Sequence, residues 1–249
     1  MAPIRAVVFD LGHTIWDFAP AEHNRRLGIL RLHARLAREL GDVPAPRELD
    51  HALNATAQRW VKTWDEEREQ LLQPPSEELV RDVLHSAVVS VSDALLLELT
   101  EIFFGTERDM PVVEPDTLAA LAELHGRGLR MGCVTNTMLL EGAIADVLYR
   151  LGLHRYFTTA VVSSATGHRK PHASLFERAL AGLGVAPQET VFVGDRLADD
   201  IAGAQAAGMR AVLTHQYRQE QPDGAPVPDA IMRRLAQLPR VVDELDGRS

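Results

Sequence analysis

The stretch Val7-Val8-Phe9-Asp10-Leu11-Gly12-His13-Thr14-Ile15-Trp16 decides how the rest of the chain reads. Its apolar, partly β-branched lead-in, Ile4, Ala6, Val7, Val8 and Phe9, predicts a strand buried on both faces that ends abruptly at a carboxylate. Asp10 then sits at the C-terminal mouth of a strand, where open α/β sheets bind their ligands. An acid there is a candidate nucleophile or metal ligand, and it equally fits a turn cap before a helix. The stretch by itself leaves both readings standing.

Three later stretches repeat the pattern of buried strand, polar residue and helix. Arg130-Met131-Gly132-Cys133-Val134-Thr135-Asn136-Thr137 ends a strand in hydroxyls and an amide. Gly167-His168-Arg169-Lys170-Pro171 sets a lysine directly before a proline that can begin a helix. Thr190-Val191-Phe192-Val193-Gly194-Asp195-Arg196-Leu197-Ala198-Asp199-Asp200 ends another strand in an acidic cluster. A carboxylate, a hydroxyl, a cation and further acids at equivalent positions suit phosphoryl chemistry on a divalent metal.

In this order and spacing, the four stretches resemble the four motifs of the haloacid dehalogenase superfamily of hydrolases. The helical insertion between the first two resembles the subfamily with a helical cap in that position. The resemblance spans nearly the whole chain and implies an α/β fold: a Rossmann-like, doubly wound parallel sheet with an inserted α-helical cap domain. The expected core is residues 1–18 and 112–249, and the expected cap is 19–111.

Composition agrees with that outline. A chain of 249 residues with 46% hydrophobic content can fill an α/β core and a smaller second unit. The net charge of -9 argues against nucleic-acid or anionic-membrane partners, so an anionic substrate must be drawn by local charge. Cys133, the one cysteine, lies inside an apolar strand, which favours a reducing, cytoplasmic setting. No signal-peptide pattern or membrane-length apolar run stands out. Monomer and homodimer are both compatible with the sequence.

From about Pro20 the period becomes helical. Leu27, Leu30, Ala34, Ala37 and Leu40 form one stripe, with Arg25, Arg31, Arg35 and Arg38 on other faces, most simply a solvated surface. A second stripe carries Trp60 and Trp64 one turn apart, which read as cap core. Further helices are expected after Ser76 and after Ser92. Linkers near 16–20 and 105–113 would let this bundle act as a lid over Asp10. Beyond Pro115, strands are expected at 129–134, 159–162, 190–193 and 210–213, separated by helices that include Met138–Leu151, Pro171–Leu183 and Ala198–Ala207. A polar loop over 216–228, a short apolar run at Ala230–Met232 and an amphipathic tail complete the chain.

The resemblance also implies roles. Asp10 would attack phosphorus to form an aspartyl-phosphate. Mg²⁺ would be held by Asp10, the Gly12 carbonyl and Asp195, with Asp199 or Asp200 as the trailing acid of the fourth motif. For Asp199 and Asp200 helix capping is the plainer alternative. Thr135, with Asn136 and nearby amides, would bind a phosphoryl oxygen. Lys170 would offset charge on nucleophile and phosphate. The departure is Gly12, where most phosphatases of the family carry an aspartate that protonates the leaving alcohol. Losing such help costs about 10² to 10⁴ in rate, or about 3 to 5 kcal/mol. His13 could substitute for it or bind substrate, against the plainer reading of a turn residue facing the cap.

The leading expectation is therefore a Mg²⁺-dependent phosphatase of a small phosphorylated metabolite. A dehalogenase-type or other hydrolase lacking the second acid, and a catalytically weak binding module, are the alternatives.

Overall fold

The structure is a computed structural model that describes residues 2–18, 21–106, 111–221, 224 and 226–247, and the side chains of all of these except 21–24 and 61–69. Pro20 and the segment 107–110 at the expected linkers, and the Trp64 side chain, lie outside the described part.

The first strand, β1 (Ala6–Phe9), is buried along its whole length. Alternation sends Val7 and Phe9 into one hydrophobic cluster, and Ala6 and Val8 into another on the opposite face. Four helices follow without an intervening strand: α1 (Ala21–Leu40), α2 (Pro46–Glu69), α3 (Ser76–Ser86) and α4 (Asp93–Phe104). The remainder alternates as α5 (Pro115–Gly126), β2 (Arg130–Thr135), α6 (Glu141–Arg150), β3 (Phe157–Val162), a single turn α7 (Ser163–Thr166), α8 (Ala173–Leu183), β4 (Thr190–Gly194), α9 (Ala202–Ala206), β5 (Arg210–Thr214), β6 (Ala230–Met232) and α10 (Leu238–Leu245).

The six strands form one sheet of order β3-β2-β1-β4-β5-β6, parallel throughout. Chain order reverses at β1, which places the mouth of that strand at the topological switch point. Register sharpens this: Phe9 lies level with Cys133 on one side and Val193 on the other. Asp10 continues the ladder through its N–H to the Val193 carbonyl at 2.8 Å, so the ends of β1 and β4 are flush.

Three helices begin later than the sequence pattern suggests: α6 starts at Glu141 rather than Met138, and two others follow. α8 starts at Ala173 rather than Pro171, because the His172 ring accepts the Ser174 N–H at 3.3 Å and caps the helix there. The helix expected at Ala198 is preceded by a wide turn over Leu197–Ile201, in which the Arg196 carbonyl accepts both the Asp200 and Ile201 amides. Such π-type turns concentrate at functional sites, and this one has a consequence described below. The apolar run Ala230–Met232 pairs with β5 as a sixth strand.

Within the bundle, the Trp60 indole donates to Asp82 at 2.7 Å and ties α2 to α3, so Trp60 is an internal residue of the bundle. Arg25 pairs with Asp50 and Arg35 with Glu98, so both arginines are spent within the bundle. Among the described residues, backbone hydrogen bonds tie the insertion to the core at two places. Asp17 and Val112 exchange backbone hydrogen bonds of 3.2 Å where the chain leaves and returns. The α2–α3 connection reaches down to the loop before α8: Gln73 N–H bonds the Gly167 carbonyl at 3.0 Å and Arg169 N–H the Leu71 carbonyl at 3.0 Å. No helix among the described residues is long and apolar enough to cross a membrane.

The β1–β4 face away from the bundle packs Phe176 of α8 against Phe192 of β4, with ring centroids 5.2 Å apart. Both are fully buried. Phe176→Ala should cost about 3–5 kcal/mol in urea unfolding, while the fold survives by far-UV circular dichroism.

Candidate active site

A cavity of about 390 Å³ opens at the C-terminal ends of β1, β2 and β4. Asp10, Thr135, Lys170, Asp195, Asp199 and Asp200 all line it. The four sequence stretches therefore converge, each delivered by a strand end or by the loop before α8.

Lys170 is the hub. It is 2% exposed, and its Nζ donates to Asp10 Oδ1 and to Asp200 Oδ1, each at 2.6 Å. Its backbone is fixed by Asn136, whose Oδ1 accepts the Lys170 N–H at 2.8 Å and whose Nδ2 donates to the Lys170 carbonyl at 3.2 Å. The Asn136 amide thus acts on the lysine's main chain.

Asp200 is placed by the wide turn. Its Oδ2 accepts the backbone N–H groups of Asp195 and Arg196, both at 3.0 Å, so the acid curls back over its own loop. A Cβ on Gly194 would collide with the Asp200 side chain, which explains glycine before Asp195. Of the two trailing acids it is Asp200 that joins Asp10 and Asp195, the three offering carboxylate oxygens within 4.8 Å of one another. Asp199 is also buried at the cavity wall, outside that triplet.

Asp195 is held by two residues that the sequence pattern does not single out. Thr14 Oγ1 donates to Asp195 Oδ1 at 3.4 Å, and Arg218 Nη1 lies 2.9 Å from Asp195 Oδ2. Thr14 belongs to the opening stretch and offers a polar side chain there. Arg218 lies in an irregular loop after β5, where no periodicity marks it.

Gly12 also has a structural reason. A Cβ there would meet the Phe18 ring at 2.8 Å, so an aromatic side chain fills the place an acid would need. His13, at a left-handed φ of 58°, turns its Nδ1 to Asp17 Oδ1 at 3.0 Å and packs edge-on against Phe18. It lines the cavity. So does Trp16, whose buried Nε1 has no hydrogen-bond partner.

Charge explains the electrostatics. Burial, together with Asp200 and Asp195, lifts the Asp10 carboxyl to about 7 despite Lys170 beside it. Burial and Asp200 lift Asp195 to about 6, against Arg218. Burial would lower Lys170, but Asp10 and Asp200 outweigh it and hold the ammonium charged. Burial pushes the Cys133 thiol up to about 12, so it is a core residue and no nucleophile. Three acids facing one built-in ammonium, with only oxygen donors, fit a hard divalent cation better than an empty cluster of charge.

The family model for haloacid dehalogenase-like hydrolases matches residues 4–208. The chain belongs to that family. Two relatives are similar over most of their length: a glyceraldehyde 3-phosphate phosphatase of Methanopyrus kandleri, 30% identical over 97% of this chain and 98% of that one, and a phosphoserine phosphatase of Thermus thermophilus, 32% identical over 89% and 86%. A solved 2-haloacid dehalogenase from Pseudomonas syringae superposes with a TM-score of 0.70 at 30% identity, covering 97% of this chain and 99% of that one. Family membership makes the chain a hydrolase and accounts for the parallel sheet with its helical insertion.

The raised carboxyls of this hydrolase give a signed pH effect. Groups whose folded pKa exceeds the unfolded value of 3.8 stabilise the fold at low pH and lose that contribution as pH rises through the folded value of about 7 for Asp10. In metal-free protein the melting temperature of wild type should therefore fall more steeply between about pH 5 and pH 7 than that of Asp10→Asn. Differential scanning calorimetry of the pair measures this. Equal slopes would remove Asp10 as the source.

Proposed function

We propose that this hydrolase is a Mg²⁺-dependent phosphatase of a small phosphorylated metabolite that works through an aspartyl-phosphate on Asp10. The observation that carries the reading is the excess of carboxylate: Asp10, Asp195 and Asp200 lie within 4.8 Å of one another around a buried ammonium that bonds only the first and last of them. Displacing halide from carbon by a carboxylate needs no metal, and there such crowding would be a burden. Both curated relatives described above are named phosphatases, which supports the same choice.

Asp10, Asp195 and the Gly12 carbonyl would hold the ion, with Asp200 buttressing Lys170 and the turn. When bound, Mg²⁺ supplies the positive charge that lets a carboxylate approach a phosphate dianion. Asp10 keeps one oxygen on Lys170 and directs the other at phosphorus. The oxygen–phosphorus bond to Asp10 forms as the bond to the leaving alcohol breaks. Thr135, at the end of β2, faces the same cavity and would donate to a phosphoryl oxygen. Lys170 spreads its charge over nucleophile and phosphate. No side chain extends from Gly12, so the departing oxygen takes its proton from water, and a second water returns Asp10 and inorganic phosphate. Residues 19–111 would serve as a lid over the core formed by 1–18 and 112–249, pivoting where Asp17 and Val112 pair.

Turnover of p-nitrophenyl phosphate should vanish on chelation and return with Mg²⁺. Asp10→Asn should lower kcat by more than about 10³-fold with the protein still folded. Without an acid at Gly12, alkyl monoesters should react more slowly than aryl esters by about 10²-fold or more in kcat/KM. Release of halide from a 2-haloacid that survives chelation would instead support dehalogenation, as in the Pseudomonas protein's name.

A further inference from the structure

The two cations on the carboxylate triplet are held in different ways. Lys170 is 2% exposed, makes two directed hydrogen bonds of 2.6 Å and has its backbone locked by Asn136. The Arg218 side chain is 28% exposed. Its Nη1 is 2.9 Å from Asp195 Oδ2, yet that buried oxygen accepts no well-directed hydrogen bond. The contact is one of charge and proximity, easily exchanged.

The loop that carries Arg218 is nevertheless fixed on both sides of it. Gln216 donates to Thr117 Oγ1 at 3.0 Å and accepts the Leu235 N–H at 2.6 Å. Glu220 accepts the Leu197 N–H at 2.7 Å, and its carbonyl contacts His215 Nε2 at 2.9 Å. The loop is thus tied down on both sides of Arg218, whose own side chain is partly exposed. When all three are ionised, the acids against Lys170 leave two negative charges, which one guanidinium offsets in part and a divalent ion offsets fully. A cation bound beside Asp195 Oδ2 would meet Arg218 at repulsive distance.

Resting on the phosphatase reading above, we propose that Arg218 is the counter-cation of the metal-free cluster, and that it sets divalent-ion affinity because it must leave Asp195 before the ion binds. Arg218 is thus a positioning residue for the metal, tuned to keep the buried acids compensated between loading events.

The test is calorimetric titration of MgCl₂ into metal-free wild type, Arg218→Gln and Arg218→Lys, with melting curves for each. Arg218→Gln should bind Mg²⁺ about tenfold more tightly, melt lower without metal and gain more in melting temperature on saturation. Arg218→Lys, which keeps the charge, should stay within about threefold of wild type. Equal affinity in all three, or weaker binding by the glutamine variant, would overturn the role of Arg218 while leaving the phosphatase reading intact. No Mg²⁺ binding by any of them, wild type included, would overturn both.

Discussion

A single buried ammonium shared by two carboxylates holds this active site together. Lys170 reaches Asp10 from the loop before α8 and Asp200 from the turn after β4, and no water-filled gap separates them at 2.6 Å. Removing one partner of such a buried set leaves an uncompensated charge, typically a loss of about 3–5 kcal/mol. The surrounding architecture follows from that constraint. β1 and β4 must end flush so that Asp10 and Asp195 are neighbours, and Asn136 must clamp the lysine's main chain from the end of β2. The turn after β4 must widen so that Asp200 folds back onto the amides of its own loop.

Much of this was legible in the sequence, because strand ends carry a strong signal. A buried apolar run that stops at Asp10, and another that stops at Gly194-Asp195, locate two of the three carboxylates by pattern alone. That the sheet is parallel follows from alternating strands and crossover helices, whereas the order of its strands comes from the structure. The trailing acid was less determinate. Asp199 and Asp200 are adjacent, and a regular helix would have swung them through different positions than the wide turn does. Local hydrogen bonding to Arg196 settled the matter, and helix propensity does not report it.

Other features were beyond the reach of pattern. Gly12 reads as a missing acid, but the Phe18 ring that occupies the space beside it depends on where the chain turns towards the helical insertion. Arg218 sits between polar and proline-rich neighbours with no period to reveal it, and reaches Asp195 only because β5 lies next to β4. The same limit applies to the bundle. Its stripes announce helices, yet among its described residues in α1–α4 none lines the cavity.

The short connection between α2 and α3 grips the segment that presents the lysine. Leu71 and Gln73 bond to Arg169 and Gly167, while Ser76 Oγ reaches the Met138 carbonyl at 2.6 Å near the end of β2. Lifting the bundle would strip hydrogen bonds from the segment just before Lys170 and from Met138, two residues beyond Asn136. On the lid reading proposed above, opening for exchange and loosening of the nucleophile's counter-charge would be one mechanical event.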